Sequence, residues 1–125
     1  MANERGLGRT CPVPELRLIS DYVDYHAGHR PDTVAMTLDG RGLTYANLAR
    51  HVKDTAMAML ASGVRQGDRV AFLANPSPVF MVNFLAAASI GAIWMGLNPK
   101  YKQEELRYVI SDAEPCLVFN FVDND

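Results

Sequence analysis

Apolar positions along this chain recur with two different periods, and the period changes where glycine, proline or asparagine interrupts it. In Glu15–Asp32 the residues Leu16, Ile19, Tyr22, Val23 and His26 share one helical stripe, which Gly28 and Pro31 are expected to stop. "VAMTLDGRGLTY" then alternates over two short runs about an Asp-Gly pair, predicting a hairpin with positive φ at Gly40 and Gly42. Thr44 sits where a helix N-cap belongs, and Tyr45, Leu48, Val52, Ala56, Met59 and Leu60 keep the helical spacing until Gly63. The short apolar run Asp68–Asn75 fits a strand covered on both faces. Ser77 and Pro78 open the next helix as cap and first helical residue, and Gly91 closes it.

"AIWMGL" predicts a further strand. After Asn98-Pro99 comes a helix with Leu106, Val109 and Ile110 inward, with Lys102, Glu104, Glu105 and Arg107 outward, and with Pro115 closing it. "CLVFNFV", Cys116–Val122, predicts the last strand. The order is α/β: an alternating βαβαβ run with a mainly parallel sheet, preceded by a helix and a short hairpin, because strands joined through single helices pair in parallel by right-handed crossovers. Ligands in such sheets lie beyond the carboxyl ends of the strands, which points to the segments after Leu73, after Leu97 and after Val122. Residues 1–13 are expected to form a mobile tail, and 14–125 one α/β unit.

Pro78–Leu97 carries no charge over about the length of a membrane span. Asn83, Ser89 and the Gly91-Ala92 interruption argue for a helix and a strand buried in protein, so no stable membrane insertion is expected. Composition agrees with a globular domain: 125 residues, 49% hydrophobic and 21% charged. A net charge of −2 and no dense basic run exclude nucleic acid as a partner. Cys11 and Cys116 lack metal-type spacing and read as two thiols of a cytoplasmic protein.

The residues offer little chemistry. There is no GxxxxGK[ST] loop, and the turn Asn75-Pro76-Ser77-Pro78 cannot wrap amides around a pyrophosphate as a glycine-rich turn does. Gly6 and Gly8 follow no strand. His26 and His29 lie near a helix end, where imidazoles cap carbonyls, and no third metal ligand accompanies them. His51 reads as a surface histidine, Ser77 as a cap, and Trp94 with Met57, Met59, Met81 and Met95 as core packing. No catalytic, cofactor-binding or metal-binding residue is assigned.

Four stretches together carry a resemblance: "LTYANL" at Leu43–Leu48, "GVRQGDRVAFLANPSPVF" at Gly63–Phe80, "GAIWMGLNP" at Gly91–Pro99 and "EELRYVISDAEP" at Glu104–Pro115. In this order and spacing they resemble the N-terminal region of the AMP-forming acyl-CoA synthetases, the adenylate-forming superfamily, from about Leu16 to Phe119. The Asn-Pro joint looks more like the acid:CoA ligases than the adenylation domains of peptide synthetases. Asn47 stands where the family commonly has Glu, which shortens the capping box, and Met95-Gly96 replaces the usual Val-Pro.

The resemblance implies a partial N-terminal subdomain of the adenylate-forming fold, within a ligase that turns a carboxylic or fatty acid, ATP and CoA into acyl-CoA, AMP and pyrophosphate. The family's phosphate loop, adenine and ribose contacts, magnesium-binding Glu, mobile C-terminal domain and acyl pocket all belong to later residues. Hence ATP, Mg and CoA are implied for a full-length member, none is expected on this chain alone, and the chain alone is expected to be inactive. The remainder of a synthetase chain is the first expected partner, and a homo-oligomer through exposed apolar surface the second. The alternatives are a free-standing, non-catalytic α/β domain for binding or oligomerisation, and a membrane-associated fragment.

Overall fold

A computed structural model describes residues 13–122. The elements run α1 (Asp21–His29), β1 (Val34–Leu38), β2 (Arg41–Thr44), α2 (Tyr45–Ala61), β3 (Arg69–Leu73), α3 (Pro78–Ser89), β4 (Ile93–Leu97), α4 (Gln103–Ala113) and β5 (Leu117–Asn120). The expected tail lies outside the described residues except for Val13, which is exposed.

Helix α1 is shorter at its start than the apolar stripe predicts. The Asp21 carboxylate accepts the Leu18 N–H at 2.9 Å and the Tyr22 hydroxyl accepts the Leu16 N–H at 3.3 Å, so Glu15–Ser20 is held as turns. Local side-chain bonds of this kind outcompete a helix. Ile19 is consequently exposed, and Val23 is the one buried residue of α1. Gly28 lies inside the helix and does not stop it. The stop is at Arg30, whose φ of −145° leaves the helical region one residue before Pro31.

The hairpin pairs β1 with β2 antiparallel, Met36 opposite Leu43 and Leu38 opposite Arg41. Its positive φ values fall on Asp39 (50°) and Gly40 (76°), the pair a two-residue hairpin turn demands, and not on Gly42. Gly42 has a different task. A Cβ there would stand 3.2 Å from both methyls of Val34, so the missing side chain lets the strands close.

Helix α2 is capped as its sequence predicts, with the Thr44 hydroxyl accepting the Asn47 N–H at 3.2 Å. At its other end Gly63 donates to the Leu60 carbonyl and Val64 to that of Met59, both at 3.1 Å, with Gly63 at φ 95°. That is a Schellman closure, and it drives Val64 into the core. Leu48, Val52, Ala56 and Met59 are buried, whereas Leu60 falls on the exposed flank.

Strand β3 is the spine of the domain. The sheet order is β4-β3-β5, all parallel, with Val70 opposite both Trp94 and Leu117 and Phe72 opposite both Gly96 and Phe119. Val70, Ala71 and Phe72 have no exposed surface, as befits a central parallel strand. The crossover from β3 to β4 and that from β4 to β5 run in opposite directions, and right-handed connections then place α3 and α4 on opposite faces. Helices α2 and α3 pack together over the face that carries Val70, Leu117, Phe119 and Trp94.

Helix α3 is only partly enclosed. Val82, Asn83, Leu85, Ala86 and Ala87 are buried, but Val79 and Met81 face outward. Asn83 satisfies its buried amide by donating to the Val79 carbonyl at 2.9 Å. The uncharged stretch Pro78–Leu97 is therefore split between a 12-residue helix and a strand. Among the described residues no helix is long and apolar enough to cross a membrane.

In α4 the Glu105 carboxylate accepts the Lys102 backbone N–H at 2.7 Å. Lys102 has no acceptor with which to return the bond, so this is half a capping box. Leu106, Val109 and Ile110 are half-buried on the inner side. Strand β5 covers only Leu117–Asn120, shorter than the apolar run, because the Asn120 side chain accepts the Val122 N–H at 3.0 Å and turns the chain.

Candidate functional site

The loops after β3 and β4 leave neighbouring strands toward opposite faces of the sheet, which opens a crevice at their carboxyl ends. The third expected position moves from Val122 to the end of β5 at Asn120. After β4, Asn98 accepts the Lys100 N–H at 2.9 Å, and its carbonyl takes the Tyr101 N–H at 3.0 Å, so its polar groups hold the turn. After β3, the Ser77 hydroxyl accepts the Phe80 N–H at 3.2 Å. Pro76 and Pro78 have no N–H to offer. The loop therefore presents few donors to a phosphate.

Below this rim lies an aromatic cluster centred on Phe72. Its ring centroid is 5.7 Å from Phe80, 5.2 Å from Trp94, 5.7 Å from Phe119 and 5.0 Å from Phe121. The Phe80 and Trp94 rings meet edge to face at 5.2 Å. Gly96 makes room for both, since a Cβ there would touch Phe80 at 3.5 Å and Trp94 Nε1 at 3.6 Å. The crevice floor is thus packed and apolar.

A hollow lies to one side, where the hairpin tip meets the start of α3. It is an open depression of about 590 Å³ lined by Leu38, Arg41, Leu43, Ser77, Pro78 and Val79, among others. Sequence reasoning missed it, because β2 and α3 are brought together only by tertiary packing. Arg41 is a cation there, but its lining holds no imidazole or thiol and Ser77 is already engaged as a cap. Its lining offers no nucleophile–base pair.

The histidines separate. His29 Nδ1 lies 2.8 Å from the Tyr25 carbonyl, and its ring stacks on Tyr25 at 4.1 Å, the capping role expected at a helix end. His26 turns to Tyr45 of α2 at 5.0 Å, with Nδ1 buried and without a hydrogen-bond partner. His51 is exposed, beside Val82 and Asn83 in a shallow hollow of about 290 Å³. Of the methionines, Met59 is buried and Met95 half-buried, while Met57 and Met81 are exposed and do not pack in the core as expected. Trp94 is half-buried against the core. Gly6, Gly8 and Cys11 lie outside the described residues. Cys116 is a free, exposed thiol whose pKa is raised by desolvation and then by the negative charge of Asp68.

Among the described residues no group of three or more His, Cys, Asp or Glu side chains could hold a metal ion. With the donor-poor loop after β3, these side chains do not fit a nucleotide phosphate with magnesium.

Comparison with known proteins supplies what the side chains do not. The family model described as AMP-binding enzyme matches residues 23–125. The indoleacetate–CoA ligase of Aromatoleum aromaticum is 37% identical over 101 residues, covering 81% of this chain and 20% of that enzyme. The 3-hydroxybenzoate–CoA ligase of an Aromatoleum species is 39% identical over 88 residues, covering 70% of this chain and 17% of that enzyme. The chain thus spans about a fifth of the length of such relatives. Among solved structures, the N-terminal subdomain of NpsA from Klebsiella oxytoca superposes with a TM-score of 0.78 at 28% identity, over 87% of this chain and 29% of that one. The parallel β4-β3-β5 sheet with its capped joints, and a family match over nearly the whole length, establish that this chain belongs to the AMP-binding enzymes.

Proposed function

We propose that residues 14–125 form an incomplete N-terminal α/β part of an AMP-dependent acid:CoA ligase, and that this part serves as scaffold without carrying the chemistry. The whole enzyme would join a carboxylic acid to ATP, releasing pyrophosphate, and pass the acyl group from the adenylate to CoA. The observation that carries the reading is the 37% identity to the indoleacetate–CoA ligase over a span that is only 20% of that enzyme. The names of both Aromatoleum ligases favour an aromatic acid as the substrate class.

Adenylation needs donors on the phosphates, a metal site and an acid held in line with the α-phosphorus. The crevice described above offers an engaged Ser77, two prolines and a packed aromatic floor. The chain alone is accordingly expected to be inactive, with no catalytic, cofactor-binding or metal-binding residue of its own and ATP, Mg and CoA held by the remainder of the enzyme. The alternative, a free-standing domain that binds a partner or itself, draws on the exposed Val118 and Phe121 beside the sheet edge.

Acid-dependent exchange of pyrophosphate into ATP tests the proposal. The purified chain should show none with any fatty or aromatic acid, and a chimera in which it replaces the matching 101 residues of the indoleacetate–CoA ligase should recover exchange. Exchange by the chain alone, or a folded chimera that is inert with every acid, overturns the reading.

A further inference from the structure

Helix α3 is apolar except for Asn83 and the terminal Ser89. Asn83 is nevertheless buried, with 6% of its surface exposed. An amide at such a position is disfavoured against leucine or alanine unless both its ends are engaged. One end is, since Nδ2 donates to the Val79 carbonyl at 2.9 Å. That bond fixes the orientation of the amide, because a flipped amide would set its oxygen against the carbonyl. Oδ1 therefore points away from that carbonyl. Among the described residues no donor is bonded to Oδ1, and the buried side-chain atom without a partner is Nδ1 of His26, so solvent reaches Oδ1.

The way in is the hollow of about 290 Å³ between α2 and α3. His51 and Thr55, one turn apart on α2, form one wall, and Val79 and Asn83, one turn apart on α3, the other, with Pro78 and Val82 completing the lining. All six residues lie in two helices packed on each other, so α2 and α3 alone set the shape.

This lining selects the chemistry of an occupant. An amide oxygen only accepts, so the occupant carries an O–H or N–H. Pro78, Val79 and Val82 call for an apolar body beside it. None of the six lining residues is a lysine, an arginine or a carboxylate, so a charged occupant would lose its hydration without a partner. The volume falls at the small end of ligand sites, which run from roughly 300 Å³ upward, and that limits the occupant to a single ring.

We infer that the hollow between α2 and α3 binds a neutral, single-ring molecule with one hydroxyl, a phenol. Its hydroxyl donates to Asn83 Oδ1 and its ring lies against Val79 and Val82. Thr55, whose hydroxyl can also donate, serves the phenol oxygen from the opposite wall. The site belongs to the helix layer and does not rest on the ligase reading.

Amide spectra of the isotope-labelled chain, titrated with phenol at neutral pH, test it. Phenol should shift the Asn83 side-chain amide and the backbone amides of Thr55 and Val82 along saturable curves, with a dissociation constant on the order of millimolar. Benzoate, of similar size but charged, should give no saturable shift. Asn83→Leu, which removes the acceptor and keeps an apolar wall, should weaken phenol at least about tenfold and leave toluene no weaker. If Asn83→Leu does not fold, Thr55→Leu, at a half-buried helix position, should fill the hollow and abolish saturation by phenol. Shifts that do not saturate, that saturate at other residues or that benzoate reproduces overturn the inference. So does an affinity for phenol that survives Asn83→Leu or falls together with that for toluene, and so does saturation at the same residues in Thr55→Leu.

Discussion

Phe80 donates its backbone N–H to the Ser77 hydroxyl at 3.2 Å while its ring meets Phe72 edge-on at 5.7 Å. One residue thus ties the start of α3 to the centre of the sheet. A cap bond of this kind contributes about 1 kcal/mol. Ser77→Ala should lower stability by about that amount and Ser77→Asp should retain most of it. Superimposable urea melts for wild type and Ser77→Ala would show that the cap contributes nothing.

Gly91 holds φ at 75°, and its carbonyl accepts the Gly67 N–H at 2.9 Å. A Cβ there would stand 2.9 Å from the Gln66 Cγ. The Gln66 side chain can swing aside, but the left-handed backbone cannot be relieved so easily. Gly91→Ala should therefore cost about 1–2 kcal/mol, and adding Gln66→Ala should recover only the steric share. Full recovery in the double variant, read from thermal or urea unfolding, would place the whole cost in the side-chain clash.

Phe72 has no exposed surface and touches four other aromatic rings. Phe72→Ala should cost about 3–5 kcal/mol, a large share of the stability of a domain this size. Phe72→Leu should keep a cooperative transition at a lower midpoint. A cooperative melt for Phe72→Ala within about 1 kcal/mol of wild type would place the energetic centre of the sheet elsewhere.

The Cys116 thiol is raised above its ordinary pKa by desolvation and by the Asp68 carboxylate. Its thiolate fraction at mildly alkaline pH is therefore smaller than that of a free cysteine, and alkylation should be slower. Asp68→Asn should speed alkylation by removing the charge. The linkage sign follows: a raised folded pKa contributes stability below the unfolded pKa, and that contribution is lost as pH rises through the folded value. Because the thiol is exposed, solvent screens the effect. Alkylation of Asp68→Asn at the wild-type rate across the pH range would remove Asp68 as a cause.

What could be read from the sequence alone was local. Thr44, Ser77 with Pro78, and the glycines at 63 and 91 mark helix ends through bonds that close within a few residues, and each stands where its sequence places it. The hairpin was legible for the same reason, although the left-handed positions fell on Asp39 and Gly40. The βαβαβ alternation and the four stretches resembling acyl-CoA synthetases were also legible, because periodicity and motif order need no knowledge of contacts. Tertiary structure decided everything that depends on a distant partner. One local competition escaped the pattern: helical periodicity put Leu16 and Ile19 into α1, but the Tyr22 and Asp21 side chains accept the Leu16 and Leu18 N–H groups and hold the approach to the helix as turns. An apolar pattern could not tell that Met57 and Met81 face outward, since burial depends on which neighbour arrives. The order β4-β3-β5 is invisible in a list of strands, yet it makes Phe72 the centre of the aromatic cluster and leaves β5 on an edge. The hollow beside Arg41 exists only because the hairpin folds against α3. Local hydrogen bonds are encoded by neighbours in the chain, whereas burial and edges are set by residues far apart in sequence, and only the folded chain brings those together.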